Sequence, residues 1–351
     1  MTPSDLPVSA VRDLPPLSPG DASVYVHFPY CSSKCPYCDF NSHVVAHDDV
    51  VYADAVLSEL DRRSPRLRVP AGGLASVYFG GGTPSRWHPE QLGRVLRALA
   101  DRFGLREGVE ITVEANPEDV GDGALFAALR DQGVNRFSLG VQSFLDDELA
   151  ALGRMHDGDR ARAAVRAARA TGARVSLDLI YGLPEQPAHR ALASVEAALA
   201  LEPDHISAYT LTIEPDTVLA RRVRLGTFRP MPDEQQADLI EAVTHRLEAE
   251  GYRRYEVSSY AREGRISIHN TGYWVGGAYL GLGAGAHGYL PHAAGAVRYE
   301  NERLPQRYQD AALAGALETR FEEERGRRGQ IEDRALVALR SAFGVDADAW
   351  A

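Results

Sequence analysis

Tyr25-Val-His-Phe-Pro-Tyr-Cys31-Ser-Ser-Lys-Cys35-Pro-Tyr-Cys38-Asp-Phe40 is the stretch from which the rest of this 351-residue chain is read. Its apolar, β-branched start, from Ser23 to Phe28, predicts a strand that runs directly into a loop. That loop holds all three cysteines of the chain, spaced Cys-x3-Cys-x2-Cys. A disulfide would strand one of three thiols, which argues against a secreted disulfide framework. A cubane iron–sulfur cluster is normally held by four thiolates, so three from one loop leave one iron with an open position, where a small molecule can bind. Structural zinc is the rival, with His27 or His43 as a fourth ligand, although no second ligand couple follows. Three unrelated buried thiols are the remaining reading.

Beyond the loop, strand-like and helix-like segments alternate. Apolar β-branched runs recur at Ser76 to Phe79, Val109 to Val113, Arg136 to Leu139, Arg174 to Ile180 and His205 to Leu211. Amphipathic stretches separate them at Val50 to Arg63, Pro89 to Phe103, Gly123 to Gln132, Asp159 to Thr171 and Arg190 to Leu201, and a helix near Pro232 to Glu250 closes the last unit. Six such units predict a parallel sheet with right-handed crossovers: an α/β fold, a partial (β/α)6 TIM-type barrel rather than a closed eight-stranded one. The chemistry is then expected at the carboxyl ends of the strands, where Gly80-Gly-Gly-Thr-Pro-Ser85, Glu114-Ala-Asn-Pro-Glu118, Gly140-Val-Gln-Ser-Phe144 and Asp178-Leu-Ile-Tyr-Gly-Leu-Pro184 all fall. Each has a plain alternative: a tight turn, a helix cap, or Glu114 paired with Arg136 or Arg174.

Composition restrains the function classes. Hydrophobic residues make up 44% and charged residues 25%, ordinary globular usage. A formal charge of -11 gives no general pull toward nucleic acid, and no apolar run approaches the length of a membrane span. Residues 1–20 carry five prolines and read as a disordered leader without the marks of a signal or transit peptide. Reduced cysteines then point to the cytoplasm. The domain expectation is a leader over 1–20, a barrel over 21–225 and a small α+β carboxyl-terminal domain over 226–351. Within that last part, 252–275 reads as short strands and turns, Pro305 onward as helices, and the charge run 320–328 as a solvated helix face. Gly283-x-Gly285-x-x-Gly288 matches the dinucleotide fingerprint only by letters and reads as close backbone packing, with His287 structural.

The cysteine spacing, with Tyr37 before the last thiol, resembles the radical S-adenosylmethionine (SAM) superfamily. There the open iron chelates the methionine end of SAM, whose sulfonium is cleaved to an adenosyl radical. From about Ser23 to Gly288 the phrases resemble the group containing oxygen-independent coproporphyrinogen III dehydrogenase (HemN) and its relative HemW. The resemblance implies a [4Fe–4S] cluster on Cys31, Cys35 and Cys38. It implies SAM along Tyr25, Tyr37, Gly81, Gly82, Thr83, Glu114, Gln142, Arg154 and Asp178.

Two departures separate the chain from the dehydrogenase. Phe40 stands where that enzyme has a further cysteine, and His269-Asn-Thr-Gly-Tyr-Trp274 matches the His-Asn-x-x-Tyr-Trp phrase of the HemW group. The resemblance thereby implies haem as a third cofactor, with His269 a candidate ligand, although a lone buried histidine is more often a hydrogen-bonded structural residue. It further implies a haem chaperone serving haem-accepting apoproteins such as respiratory cytochromes, with an electron donor for the cluster. The runner-up is SAM-dependent oxidative decarboxylation of coproporphyrinogen III. The third reading is a zinc-stabilised binding protein. A homodimer and peripheral membrane contact stay open, and the resemblance thins over Arg328 to Ala351, which implies a shortened carboxyl-terminal domain.

Overall fold

The computed structural model describes residues 20–120 and 123–344. The expected leader, apart from Gly20, and the last residues of the carboxyl-terminal segment lie outside them. Six parallel strands form the centre: β1 (Ala22–Phe28), β2 (Leu74–Gly81), β3 (Leu105–Ala115), β4 (Arg136–Gln142), β5 (Arg174–Tyr181) and β6 (His205–Thr210). β1, β2 and β4 are buried along almost their whole length, the signature of parallel strands covered on both faces.

The crossover helices are α1 (Asp49–Arg63), α2 (Pro89–Phe103), α3 (Ala124–Asp131), α4 (Asp146–Ala151), α5 (Gly158–Ala170) and α6 (Ala188–Leu199). Local chemistry sets several of their ends. Asp48 caps α1 by accepting from the Val50 and Val51 amides, and Asp157 caps α5 through the Arg160 amide. α2 begins on Pro89, which has no amide to waste in a first turn, and stops at Gly104 with φ +69°.

The remaining elements are α7 (Val218–Arg224), α8 (Asp233–Ala249), β7 (Arg253–Arg254), β8 (Ser259–Ala261), α9 (Ile268–Trp274), β9 (Ala278–Leu282), β10 (His287–His292), β11 (Gly295–Asn301), α10 (Pro305–Leu313), β12 (Thr319–Gly326) and α11 (Arg327–Ala338). The sheet order is β12-β11-β10-β9-β1-β2-β3-β4-β5-β6-β8-β7. It is an open, mixed sheet, so the barrel is partial. β9 pairs in parallel with β1, and β10 to β12 continue it as antiparallel hairpins.

Two local expectations are corrected. The phrase His269 to Trp274 is a short helix, not a strand or turn. Ser267 caps it, and the buried Glu110 carboxylate accepts from the Ile268 and His269 amides at 3.1 and 3.0 Å. The charge run over 320–326 is the edge strand β12, not a helix face. Its charges are spent on cross-strand and rim pairs such as Arg298–Glu323 and Arg66–Glu322, which blunt an edge that would otherwise template pairing.

Candidate functional site

The carboxyl ends of β1 to β5 gather the expected rim. The cysteine loop folds back on itself: the Cys31 amide donates to the His43 carbonyl at 3.0 Å and the His43 amide to the Pro29 carbonyl at 2.7 Å. Asn41 anchors its end, its Nδ2 donating to the carbonyls of Ala284 and Arg303, both at 2.9 Å. Against this loop lies the glycine run. The Gly82 amide donates to the Phe28 carbonyl and the Thr83 amide to that of Tyr30. A Cβ on Gly81, where φ is +121°, would come within 2.6 Å of the His27 ring, and one on Gly82 within 2.7 Å of the Tyr30 carbonyl. These glycines are required for close packing of the cysteine loop on β2.

The three thiols are partly buried. Burial pushes the Cys31 and Cys38 thiols up, with donors on the sulfurs opposing it. Thr83 Oγ1 donates to Cys31 Sγ at 3.4 Å and Arg154 Nη1 to Cys35 Sγ at 3.5 Å. Donors aimed at sulfur suit thiolates that carry negative charge. The proposed fourth zinc ligands are engaged elsewhere. His27 donates from Nε2 to the Asn41 carbonyl and accepts at Nδ1 from Tyr25, while His43 Nε2 bonds Asn41 Oδ1. Among the described residues no three histidine, cysteine or carboxylate side chains are gathered closely enough to hold a single ion. A cubane makes no such demand, because its thiolates bind separate irons. The residues fit a cluster better than zinc.

Glu114 does not pair with Arg136 or Arg174; Glu110 takes both, at 3.9 and 3.2 Å. The Glu114 carboxylate instead accepts from Tyr78 Oη at 2.7 Å and from the Gly81 amide at 3.0 Å. Burial, reinforced by Asp178, pushes it up to about 7 despite those donors. Asp178 is itself pushed up to about 6, again mainly by burial, with Ser207, Arg136 and Ser138 opposing. Gln142 sits at φ +67°, where β4 and β5 shift register, a strained left-handed position for a side-chain-bearing residue. Burial holds the Tyr37 hydroxyl far above its usual range, with Arg154 and Cys35 beside it.

The sequence reading missed what orders Arg154. Nη2 donates to Asn116 Oδ1 at 2.7 Å, to the Gly140 carbonyl at 3.0 Å and to Glu118 at 3.2 Å. His156 holds Glu118 in turn at 2.7 Å, and Asn116 Nδ2 also reaches Thr83 Oγ1. The signal was present in Asn116-Pro-Glu118 at one strand end and Arg154-Met-His156 after another.

His269 is 1% exposed, its ring 4.9 Å from that of Tyr78 and 6.3 Å from that of Tyr25 between centroids. Its Nδ1 donates to Ser76 Oγ at 2.9 Å, since that hydroxyl gives its own proton to Ser23, and its Nε2 accepts from Tyr273 at 2.7 Å. Burial lowers it to about 3. Both ring nitrogens are thus engaged, and an iron could reach either only by displacing a hydrogen bond. His287, expected to be structural, has a half-exposed ring beside a cavity. The Gly283 to Gly288 run serves close packing as expected: a Cβ on Gly283 would meet the His27 carbonyl at 2.3 Å.

With this geometry in place, the chain can be set beside known proteins. The model of the Radical SAM superfamily matches residues 25–198. The "Heme chaperone HemW" of Mycobacterium tuberculosis is 38% identical over 341 residues, covering 95% of this chain and 86% of that protein. The protein of the same name from Escherichia coli is 39% identical over 290 residues, covering 81% and 73%. Among solved structures, coproporphyrinogen III oxidase HemN from Escherichia coli, described as a radical SAM enzyme, superimposes with a TM-score of 0.78 over 98% of this chain and 80% of its own. At 24% identity that likeness establishes the fold. Identity of this level over nearly the whole chain places it with the former group: the chain belongs to the HemW heme chaperone family within the radical SAM superfamily.

Proposed function

We infer that this protein is a haem chaperone: it binds haem and passes it to haem-requiring proteins, respiratory cytochromes among them, in the cytoplasm. The observation that carries this reading is the identity to heme chaperones along nearly the full chain. Cys31, Cys35 and Cys38 would hold a [4Fe–4S] cluster. The rim residues Tyr25, Tyr37, Gly81, Gly82, Thr83, Glu114, Gln142, Arg154 and Asp178 would hold SAM on its open side. The cluster and SAM together would supply one-electron chemistry, drawing on a separate reductant. The chain's own part is to exclude water through the buried Tyr78 and the partly buried Tyr25 and Tyr37, to fix the sulfurs through Thr83 and Arg154, and to offer Glu114 as an acceptor that ionises when a cation binds. No helix among the described residues is long and apolar enough to cross a membrane.

The test is haem titration of anaerobically reconstituted protein followed by mixing with an apocytochrome. Saturable binding and transfer to the acceptor are expected. Absence of haem binding, or turnover of coproporphyrinogen III with SAM and a reductant, would overturn the reading.

A further inference from the structure

Where haem sits is a separate question, and His269 answers it poorly. A cavity of about 560 Å³ opens between the cysteine loop and the carboxyl-terminal elements. That volume lies within the roughly 300–1,000 Å³ of small-molecule and cofactor sites. One wall is Asp39, Phe40 and Asn41, next to the last thiol; the other comes from β10, β11 and α11. Tyr25, Gly81 and Glu114, three of the residues assigned to SAM, also line it, so the cavity is continuous with the SAM rim and haem would occupy the part toward β10, β11 and α11.

Flat apolar surface is available in it. Phe40 lines the cavity and is 62% exposed. Tyr273 packs edge-on to Tyr279 at 4.6 Å between centroids, and Tyr279 stacks with Tyr289 at 6.2 Å. Such rings suit the face of a planar macrocycle. Arg298, Arg303 and Arg334 line the cavity. Arg298 is held by Glu323 at 2.6 Å and faces Asp333 at 3.6 Å, whereas the Arg303 side chain is 45% exposed. Arg303 spends its Nε on Glu300 at 3.0 Å, and its terminal nitrogens have no hydrogen-bond partner among the described residues. A guanidinium fork in that position matches a carboxylate.

Of the histidines at this end of the fold, His27 and His269 have both nitrogens engaged. His287 lines the cavity, and Glu300 Oε1, itself held by Arg303 at 3.0 Å and Arg320 at 3.3 Å, stands 3.8 Å from Nε2. That is too long for a hydrogen bond but close enough to back an imidazole that gains a positive ion. Burial lowers its proton affinity, with Glu300 opposing, which favours the neutral ligating form. Resting on the chaperone reading above, we propose that haem binds in this cavity with His287 as its iron ligand, Phe40 against the macrocycle and Arg303 on a propionate.

Cluster-loaded full-length protein is titrated with haem and, separately, with metal-free protoporphyrin IX. His287→Ala is expected to change the Soret and spin-state signature and to weaken haem at least about tenfold, leaving protoporphyrin affinity unchanged. Arg303→Gln should weaken both ligands with the iron spectrum intact, and His269→Gln should leave the spectrum unchanged. Retained protoporphyrin binding in His287→Ala certifies that the variant folds. A wild-type spectrum and affinity in His287→Ala, or loss of ligation in His269→Gln, overturns the placement while the chaperone reading stands. Wild-type protein that binds no haem overturns both.

Discussion

Arg154 Nη1 stands 3.5 Å from the sulfur of Cys35, while its twin Nη2 is fastened to Asn116, Glu118 and the Gly140 carbonyl. The side chain is nearly buried, so its charge is felt at the sulfur with little screening. A donor on a ligating sulfur favours the reduced cluster less when it is removed. Arg154→Met is therefore expected to lower the cluster potential by on the order of 60 mV, the one-electron equivalent of about 1.4 kcal/mol. Redox titration followed by electron paramagnetic resonance checks it; an unchanged potential would show that Arg154 acts only on SAM.

Cys38 is one of three thiols, and a cubane tolerates no fewer. Cys38→Ala should lose most iron and acid-labile sulfide after reconstitution, with helix and sheet content preserved. Undiminished iron and sulfide would sink the cluster assignment.

Gly81→Ala places a methyl 2.6 Å from the His27 ring at φ +121°. The expected loss is about 2–5 kcal/mol from strain and overpacking together, read from urea unfolding of the cluster-free protein. Gly108→Ala, at φ +69° with open space around it, should cost only about 1 kcal/mol. Equal losses in the two variants would mean that loop packing contributes nothing.

Glu114 is raised to about 7 and its neighbour Asp178 to about 6, so the two titrate as a pair. Folded carboxyls that hold protons the unfolded chain has released make stability fall as pH rises. Their contribution is full below about pH 4 and is lost by about pH 7. Glu114→Gln should flatten this part of the slope by up to about 3 kcal/mol across that window, measured by urea unfolding at each pH. A slope identical to wild type would refute the buried, protonated state.

The central strands were legible where they are buried on both faces and therefore apolar, as Val24, Val26 and Phe28 or Val77 and Phe79 are; the more exposed first residues of β3 were not. α2 was legible to the residue, since Pro89 and Gly104 punctuate it locally. α9 was not, because its first amides are satisfied by Glu110, a residue some 160 positions away. β12 was misread for a similar reason: the four consecutive charges from Glu322 to Arg325 look helical and solvated until β11 pairs with them. At the site, strand-end position brought Cys31, Gly81 and Glu114 to one rim, while Arg154 came only from the family resemblance. Which histidine keeps a usable nitrogen was beyond reach, since Ser76 and Tyr273 engage His269 only through tertiary packing.

The Asn41 tether carries a timing. Its two acceptors, Ala284 and Arg303, lie 243 and 262 residues further along the chain. At synthesis rates of about 5–20 residues per second, the cysteine loop waits roughly 13–52 s for the carbonyls that fasten it. Metal delivery to the nascent chain would therefore meet a loop not yet clamped, and the finished grip on the cluster would be a property of the released protein.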